Sequence, residues 1–179
     1  MYNFAGSKNQ TICMEKQWHV LYVKSRSEKK VFMSLTEKGI EAYLPLHKKL
    51  RQWSDRKKIV EMPLFSGYIF VNINRSEYDN ALKTNNVVCY ITFEGKAATI
   101  RNRDIEYLKR ILNQDNIQVE LTTENLSLGD KVEILSGPLM GLRGELIEFK
   151  GKRKVGIKIE QINYTVMIEI PISNLVAIP

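Results

Sequence analysis

Residues 62–73 read Met-Pro-Leu-Phe-Ser-Gly-Tyr-Ile-Phe-Val-Asn-Ile. Pro63 and the Ser66-Gly67 pair have the composition of a short turn. The run that follows, Tyr68, Ile69, Phe70, Val71 and Ile73, is aromatic and β-branched, which predicts a strand apolar on both faces. Such a strand lies in the middle of a sheet or has one face committed to a partner. Phe65, Tyr68 and Phe70 bring three rings within six positions, with Tyr68 and Phe70 on one side of the pleat. Taken alone, these rings suit core packing as well as a binding surface, since large aromatics are usually buried.

Working outward, Trp18 to Lys24 alternates large side chains and predicts a first strand. Ser27 then precedes Val31, Phe32 and Leu35 at helical spacing, with Gly39 as the stop. Ile40 to Leu46 returns to a strand pattern in which Pro45 argues for an edge or a bend. His47 to Lys58 carries six Lys or Arg against one acid, the composition of an exposed loop or hairpin tip, with Trp53 available for stacking on a base. Beyond the opening strand, Ser76 and Asp79 suggest a capped helix start, with Tyr78, Ala81 and Leu82 as its stripe. Val87 to Phe93 predicts a further strand. Asn102 is placed to cap a last helix, with Ile105, Leu108, Ile111 and Leu112 on one face. An antiparallel sheet with helices packed on it buries all of these stripes.

Residues 113–127 are polar and rich in acids and amides, which predicts a linker. After it the pattern changes to short period-two runs: Val132 and Ile134; Val155, Ile157 and Ile159; Val166, Ile168 and Ile170. Gly151 and Asn163 punctuate them as turns, and four or five such strands predict a small barrel. The fold class is therefore α+β, with 1–16 as a leader, 17–113 as a sheet-and-helix domain, 114–127 as the linker and 128–179 as the barrel.

Charge divides along the same boundary. The net charge is +7, and residues 1–123 hold 20 Lys or Arg against 13 acids while residues 124–179 hold 7 of each. A basic domain joined to a neutral one suggests two partners of different chemistry, the first suited to a nucleic-acid backbone, although excess lysine also serves solubility. Cys13 and Cys89 fit a reducing cytoplasm better than a disulfide framework, and His19 and His47 lack the spacing of a metal site. No apolar run reaches the length of a membrane span. A phosphate loop, a nucleophile elbow and a metal-ligand cluster are all missing from the sequence, so we expect neither an enzyme nor a cofactor.

Gly129-Asp130-Lys131-Val132-Glu133-Ile134 followed by Ser136-Gly137-Pro138-Leu139-Met140-Gly141-Leu142-Arg143-Gly144 closely resembles the KOW motif. Together with Trp18-His19-Val20-Leu21-Tyr22 and Pro63-Leu64-Phe65-Ser66-Gly67-Tyr68-Ile69-Phe70-Val71, the chain resembles NusG-type transcription factors, which join an NGN domain to an SH3-like KOW barrel. The Pro-Leu-Phe and Tyr-Ile-Phe-Val wording leans toward specialised paralogues of the RfaH and UpxY type, antiterminators of long operons that include polysaccharide loci.

The resemblance implies binding to RNA polymerase through an apolar cavity that grips the clamp helices of the largest subunit, suppressing pausing. Tyr22, Phe65, Tyr68, Phe70 and Leu108 would line that cavity, and Lys24, Arg26, Lys29 and Lys30 would face the non-template DNA strand. The helix start at Tyr78, Asp79 and Asn80 falls where relatives touch the second large subunit, without their His-Thr-Thr wording. In the barrel, Leu139 and Met140 would meet a protein partner, ribosomal protein uS10 or the termination factor Rho in this family. A general NusG-like factor and a ribosomal or RNA-binding KOW protein are the alternatives; the neutral charge of the barrel region argues against the latter. A cytoplasmic monomer with no membrane partner is expected. One relative is known to refold its KOW region as a helical hairpin. The β-branched period-two runs, with Gly151 and Gly156 among them, predict a barrel here instead.

Overall fold

The computed structural model describes residues 15–52, 57–114, 116–124 and 128–179. Most of the expected leader, Cys13, Trp53 and the Ser54-Asp55 pair lie outside the described residues. The chain runs β1 (Gln17–Val23), α1 (Glu28–Glu37), β2 (Glu41–Tyr43), β3 (Leu46–Gln52), β4 (Lys57–Pro63), β5 (Tyr68–Ile73), α2 (Tyr78–Leu82) and β6 (Val87–Tyr90). Short strands β7 (Thr92–Phe93), β8 (Lys96–Ala97) and β9 (Thr99–Ile100) then lead to α3 (Asn102–Leu112). The remainder is β10 (Val119–Thr122), β11 (Leu128–Ile134), β12 (Arg143–Phe149), β13 (Lys152–Ile159), β14 (Tyr164–Ile168) and β15 (Leu175–Ala177).

β5 is an interior strand. The first sheet has the order β2-β5-β1-β6, with β9 also pairing to β1, and β5 is antiparallel to both of its neighbours. Ile69, Val71 and Ile73 share one face and pack with Leu21 and Val23 of β1 against Val31 and Leu35 of α1 and Ala81 of α2. The opposite face carries Tyr68 and Phe70, joined by Trp18 and Val20, and packs on Ile105, Leu108 and Ile111 of α3. The two-sided apolar pattern of residues 68–73 is thus used on both sides, and each fully buried large side chain contributes about 2 kcal/mol of transfer free energy.

Local expectations needed several corrections. The second helix is not capped by Ser76. The Asn74 carboxamide oxygen instead accepts the backbone N–H of Ser76 and of Glu77, at 3.0 and 3.1 Å, and α2 is only five residues long. Side-chain oxygens of Asn and Asp compete well for nearby backbone donors, so the turn forms one step earlier. Asn102 is the first residue of α3, with Arg101 in the cap position. Val87–Phe93 divides into β6 and β7 around Ile91, whose N–H donates to the Val20 carbonyl at 2.8 Å. The basic segment after Pro45 is a two-stranded ribbon, β3–β4, separate from both larger sheets.

The second domain is all antiparallel, with strand order β10-β14-β13-β12-β11-β15 around Val132, Ile134, Ile147, Val155, Ile157, Ile159, Val166 and Ile168, as an SH3-like barrel requires. Among its described residues the helical turns are short 3-10 segments, at Glu160–Ile162 and Ile172–Asn174. The β-branched runs therefore hold strands in the full chain, as their period demands. Four residues of the expected linker also belong to this sheet. Val119–Thr122 pairs with β14, and Glu120 takes a hydrogen bond from the buried Lys154 ammonium. That bond holds the Glu120 carboxyl below its usual range.

The barrel packs directly on the first domain. Its Tyr164 ring meets Phe65 at 5.3 Å and Tyr68 at 6.1 Å between centroids, both edge-on. Its 136–142 turn lies along α3, where the Arg110 guanidinium donates to the carbonyls of Pro138 and Met140 at 3.0 and 2.7 Å. The Tyr107 hydroxyl donates to the Gly141 carbonyl at 3.4 Å. A single apolar cluster runs from Trp18 and Phe70 through Leu108 to Leu139 and Ile162.

Two outcomes follow from this packing. A Cβ on Gly144 would stand 2.7 Å from the Gly156 carbonyl oxygen, whereas one on Gly156 would meet the movable end of Ile147 at 3.0 Å. Gly144→Ala should therefore lower stability by about 1–3 kcal/mol and Gly156→Ala by less, read from urea midpoints. Arg110→Ala should weaken domain docking by about 1 kcal/mol, since its site is partly solvated. The expected signal is an NMR shift of the Leu108 and Leu139 methyls toward their undocked positions while strand resonances stay in place.

Candidate functional site: an aromatic surface and its basic rim

The alternation of β5 and β1 places the predicted aromatic residues together. Tyr68 and Phe70 leave β5 on the α3 side, and Tyr22 stands opposite Tyr68 in the β1–β5 register with ring centroids 5.8 Å apart. Phe65, from the turn before β5, meets Phe70 edge-on at 5.9 Å, and Leu108 of α3 joins the same cluster. Gly67 makes this arrangement fit: its φ is +81°, and a Cβ there would lie 2.9 Å from the Tyr22 ring.

The five residues do not form an open cavity. Phe65, Phe70 and Leu108 are 1%, 0% and 1% exposed, Tyr68 is half-buried, and only Tyr22, at 41%, faces solvent substantially. α3 covers part of the surface, and the barrel covers the rest through Tyr164, which meets Phe65 and Tyr68, and the 136–142 turn. Burial, followed by the nearby Tyr164 and Tyr22 hydroxyls, pushes the Tyr68 phenol above its ordinary value. The barrel residues expected to meet a partner diverge: Leu139 is buried in the shared core, whereas Met140 is 60% exposed.

Sequence reasoning missed Tyr43, Tyr107, Arg110 and Tyr164. Tyr43 of β2 lies 6.3 Å from Phe70, and burial plus the Glu106 charge pushes its phenol upward. Tyr107 and Arg110 are three residues apart and flank the Leu108 stripe, so one α3 face carried the signal. Tyr164 heads a strand that was read only for its β-branched residues.

Lys24, Arg26, Lys29 and Lys30 are exposed around the turn between β1 and α1, where Arg26 adopts a left-handed φ of 62°. The turn is tied to the aromatic cluster from beneath. The buried Glu28 carboxylate accepts the Gly67 N–H at 2.9 Å, and the Gly67 carbonyl accepts the Val23 N–H at 2.8 Å. The cationic rim and the rings therefore share one end of the sheet. At the expected second contact, Tyr78 stacks on Tyr90 at 4.0 Å under the Arg75 guanidinium, while the Asn80 carbonyl accepts a bond from Lys38.

Comparison with known proteins places this geometry. The family model of transcription termination factor nusG matches residues 16–109. A solved structure titled for the domain interaction in Thermotoga maritima NusG aligns over 93% of this chain and 99% of its own, at 21% identity and a TM-score of 0.53. Conformation A of the MjSpt4:Spt5 complex aligns over 90% of this chain and 97% of its own at 18% identity, with a TM-score of 0.30. Its conformation B gives 90%, 96%, 19% and 0.31. No curated protein sequence matches. Because the family model spans more than half of the chain, through the sheet, the aromatic turn and most of α3, the chain belongs to the NusG family of transcription factors.

Proposed function

We propose that this chain is an elongation and antitermination factor that binds RNA polymerase through Tyr22, Phe65, Tyr68, Phe70 and Leu108. The single observation that carries this reading is the convergence of those side chains on one face of a family NGN-type sheet, around an interior strand. Aromatic and aliphatic anchors of this kind suit a helical partner, offering large apolar area with a polar tip at each tyrosine. In the family the partner is the pair of clamp helices on the largest polymerase subunit.

Because the barrel lies over the same face, polymerase and barrel compete for it. Binding then requires undocking, and the apparent affinity is reduced by the fraction of molecules that are docked. Undocking also frees the 136–142 turn, with Leu139 and Met140, for ribosomal protein uS10 or Rho. Lys24, Arg26, Lys29 and Lys30 would meet the non-template strand, with phosphates supplying affinity. The Pro-Leu-Phe and Tyr-Ile-Phe-Val wording favours action on particular long operons, such as polysaccharide loci.

A pull-down with core RNA polymerase, with and without the clamp helices, tests the central claim. Tyr68→Ala should weaken binding by about 1 kcal/mol or more, roughly fivefold, while Tyr164→Ala on the barrel should strengthen it. Loss of binding in both variants would reject the competition between barrel and polymerase. Retention in both, or binding that survives clamp-helix deletion, would reject the surface. Neutralising Lys24, Arg26, Lys29 and Lys30 together should flatten the salt dependence of binding to an elongation complex and leave clamp-helix binding intact. An unchanged slope would assign these four residues to solvation.

A further inference from the structure

Among the described residues of the first domain, Glu28 is the one buried charge, at 4% exposure. No ion pair among the described residues engages it, and its carboxylate accepts the Gly67 N–H at 2.9 Å. A carboxylate this deeply buried loses its hydration, which that charge-assisted bond has to offset. Its surroundings help. Between residues 16 and 36 Glu28 is the only acid, and Lys24, Arg26, Lys29 and Lys30 all lie within four positions of it. It also opens α1, where the helix dipole favours a negative charge.

The bond falls on a peptide that is held from every side. The Gly67 N–H goes to Glu28 of α1, and the Gly67 carbonyl accepts the Val23 N–H of β1 at 2.8 Å. With φ at +81°, the residue turns the position a Cβ would occupy toward the Tyr22 ring, 2.9 Å away. Phe65 precedes it by two residues and Tyr68 follows directly, their backbones joined where the Phe65 carbonyl accepts the Tyr68 N–H at 3.3 Å. Tyr22, Phe65 and Tyr68 thus take their placement from Gly67. On the other side, Glu28 belongs to the turn that presents the cationic rim. There the Lys24 carbonyl accepts the Ser27 N–H at 3.0 Å, and the Ser27 carbonyl accepts the Val31 N–H at 2.9 Å.

We propose that Glu28 is a positioning residue that locks the cationic turn and the aromatic turn into one preorganised unit. The phosphate contacts of the rim and the grip of the rings then meet an elongation complex in fixed relation. The inference rests on the polymerase reading and adds to it a residue that touches neither ligand. Reach is the operative property. The glutamate side chain carries an oxygen from α1 to the Gly67 N–H, and an aspartate is a methylene too short. Without the bond the two turns order separately on binding, and each pays its own conformational entropy.

Two variants of the full chain separate reach from charge. Glu28→Gln keeps an oxygen within reach of Gly67 and removes the charge, whereas Glu28→Asp keeps the charge and withdraws the oxygen. In Glu28→Asp the Gly67 amide proton should exchange about tenfold faster than in the unaltered chain, read by NMR, while Glu28→Gln keeps most of the protection. Capture by core RNA polymerase should fall about fivefold in Glu28→Asp and less than about twofold in Glu28→Gln. Neutralising Lys24, Arg26, Lys29 and Lys30 should cost affinity for an elongation complex, and cost less of it in the Glu28→Asp background. A loss of stability alone produces no such non-additivity.

Equal Gly67 exchange in Glu28→Asp and the unaltered chain would overturn the proposal. So would full capture by Glu28→Asp, a loss in Glu28→Gln as large as in Glu28→Asp, or independent effects of Glu28→Asp and the rim. Intact capture by Tyr68→Ala would remove the polymerase reading and this inference with it. Weakened capture by Tyr68→Ala beside full capture by Glu28→Asp would reject the inference alone.

Discussion

The burial of Phe65 and Phe70 is the constraint from which the rest of this structure follows. Both rings lie on the α3 side of β5, and neither can be covered by the sheet that carries them. α3 covers part of this surface and the barrel covers the rest through Tyr164 and the 136–142 turn. Leaving such rings in water would cost about 2 kcal/mol each, enough to hold a neighbouring domain in place on its own scale. The two hydrogen bonds from Arg110 then fix orientation more than they supply affinity. A surface built this way is adhesive by construction, and the chain carries its own first occupant.

That arrangement links the two halves thermodynamically. Whatever binds the aromatic face releases the barrel turn, and whatever binds the barrel turn exposes the aromatic face. The coupling is reciprocal, since both ligands draw on the same docking free energy. No deformation has to travel through either domain, because the shared contact is itself the connection. The docked barrel is built of strands, with β-branched residues at alternate positions and glycines where Gly144 and Gly156 pass backbone to backbone.

The legible parts of the sequence were those governed by period. The 68–73 run predicted a strand apolar on both faces because every residue but Asn72 is apolar, and the 155–168 pattern predicted strands because β-branched residues recur at alternate positions. Parts governed by competition were not legible. Whether Asn74 or Ser76 captures the α2 N-terminus depends on a backbone turn rather than on residue preference. The sequence also placed the aromatic residues on a common face without revealing that Tyr164, about a hundred residues away, fills it. A ring that will be covered by the chain itself and one that awaits a partner have the same local signature. Composition marked the basic 47–58 segment as exposed, but only the β3–β4 register showed that its described part is a paired ribbon separate from both larger sheets.

β10 changes what undocking can mean. Because Val119–Thr122 is paired along β14 and anchored through Glu120 and Lys154, it travels with the barrel, so only residues 113–118 separate α3 from the moving body. Six residues span roughly 20 Å at full extension. A released barrel is therefore a leashed one, held at an effective concentration on the order of millimolar beside the face it has left. A vacant face beside such a short leash is refilled quickly, so docking follows occupancy with no memory of earlier encounters.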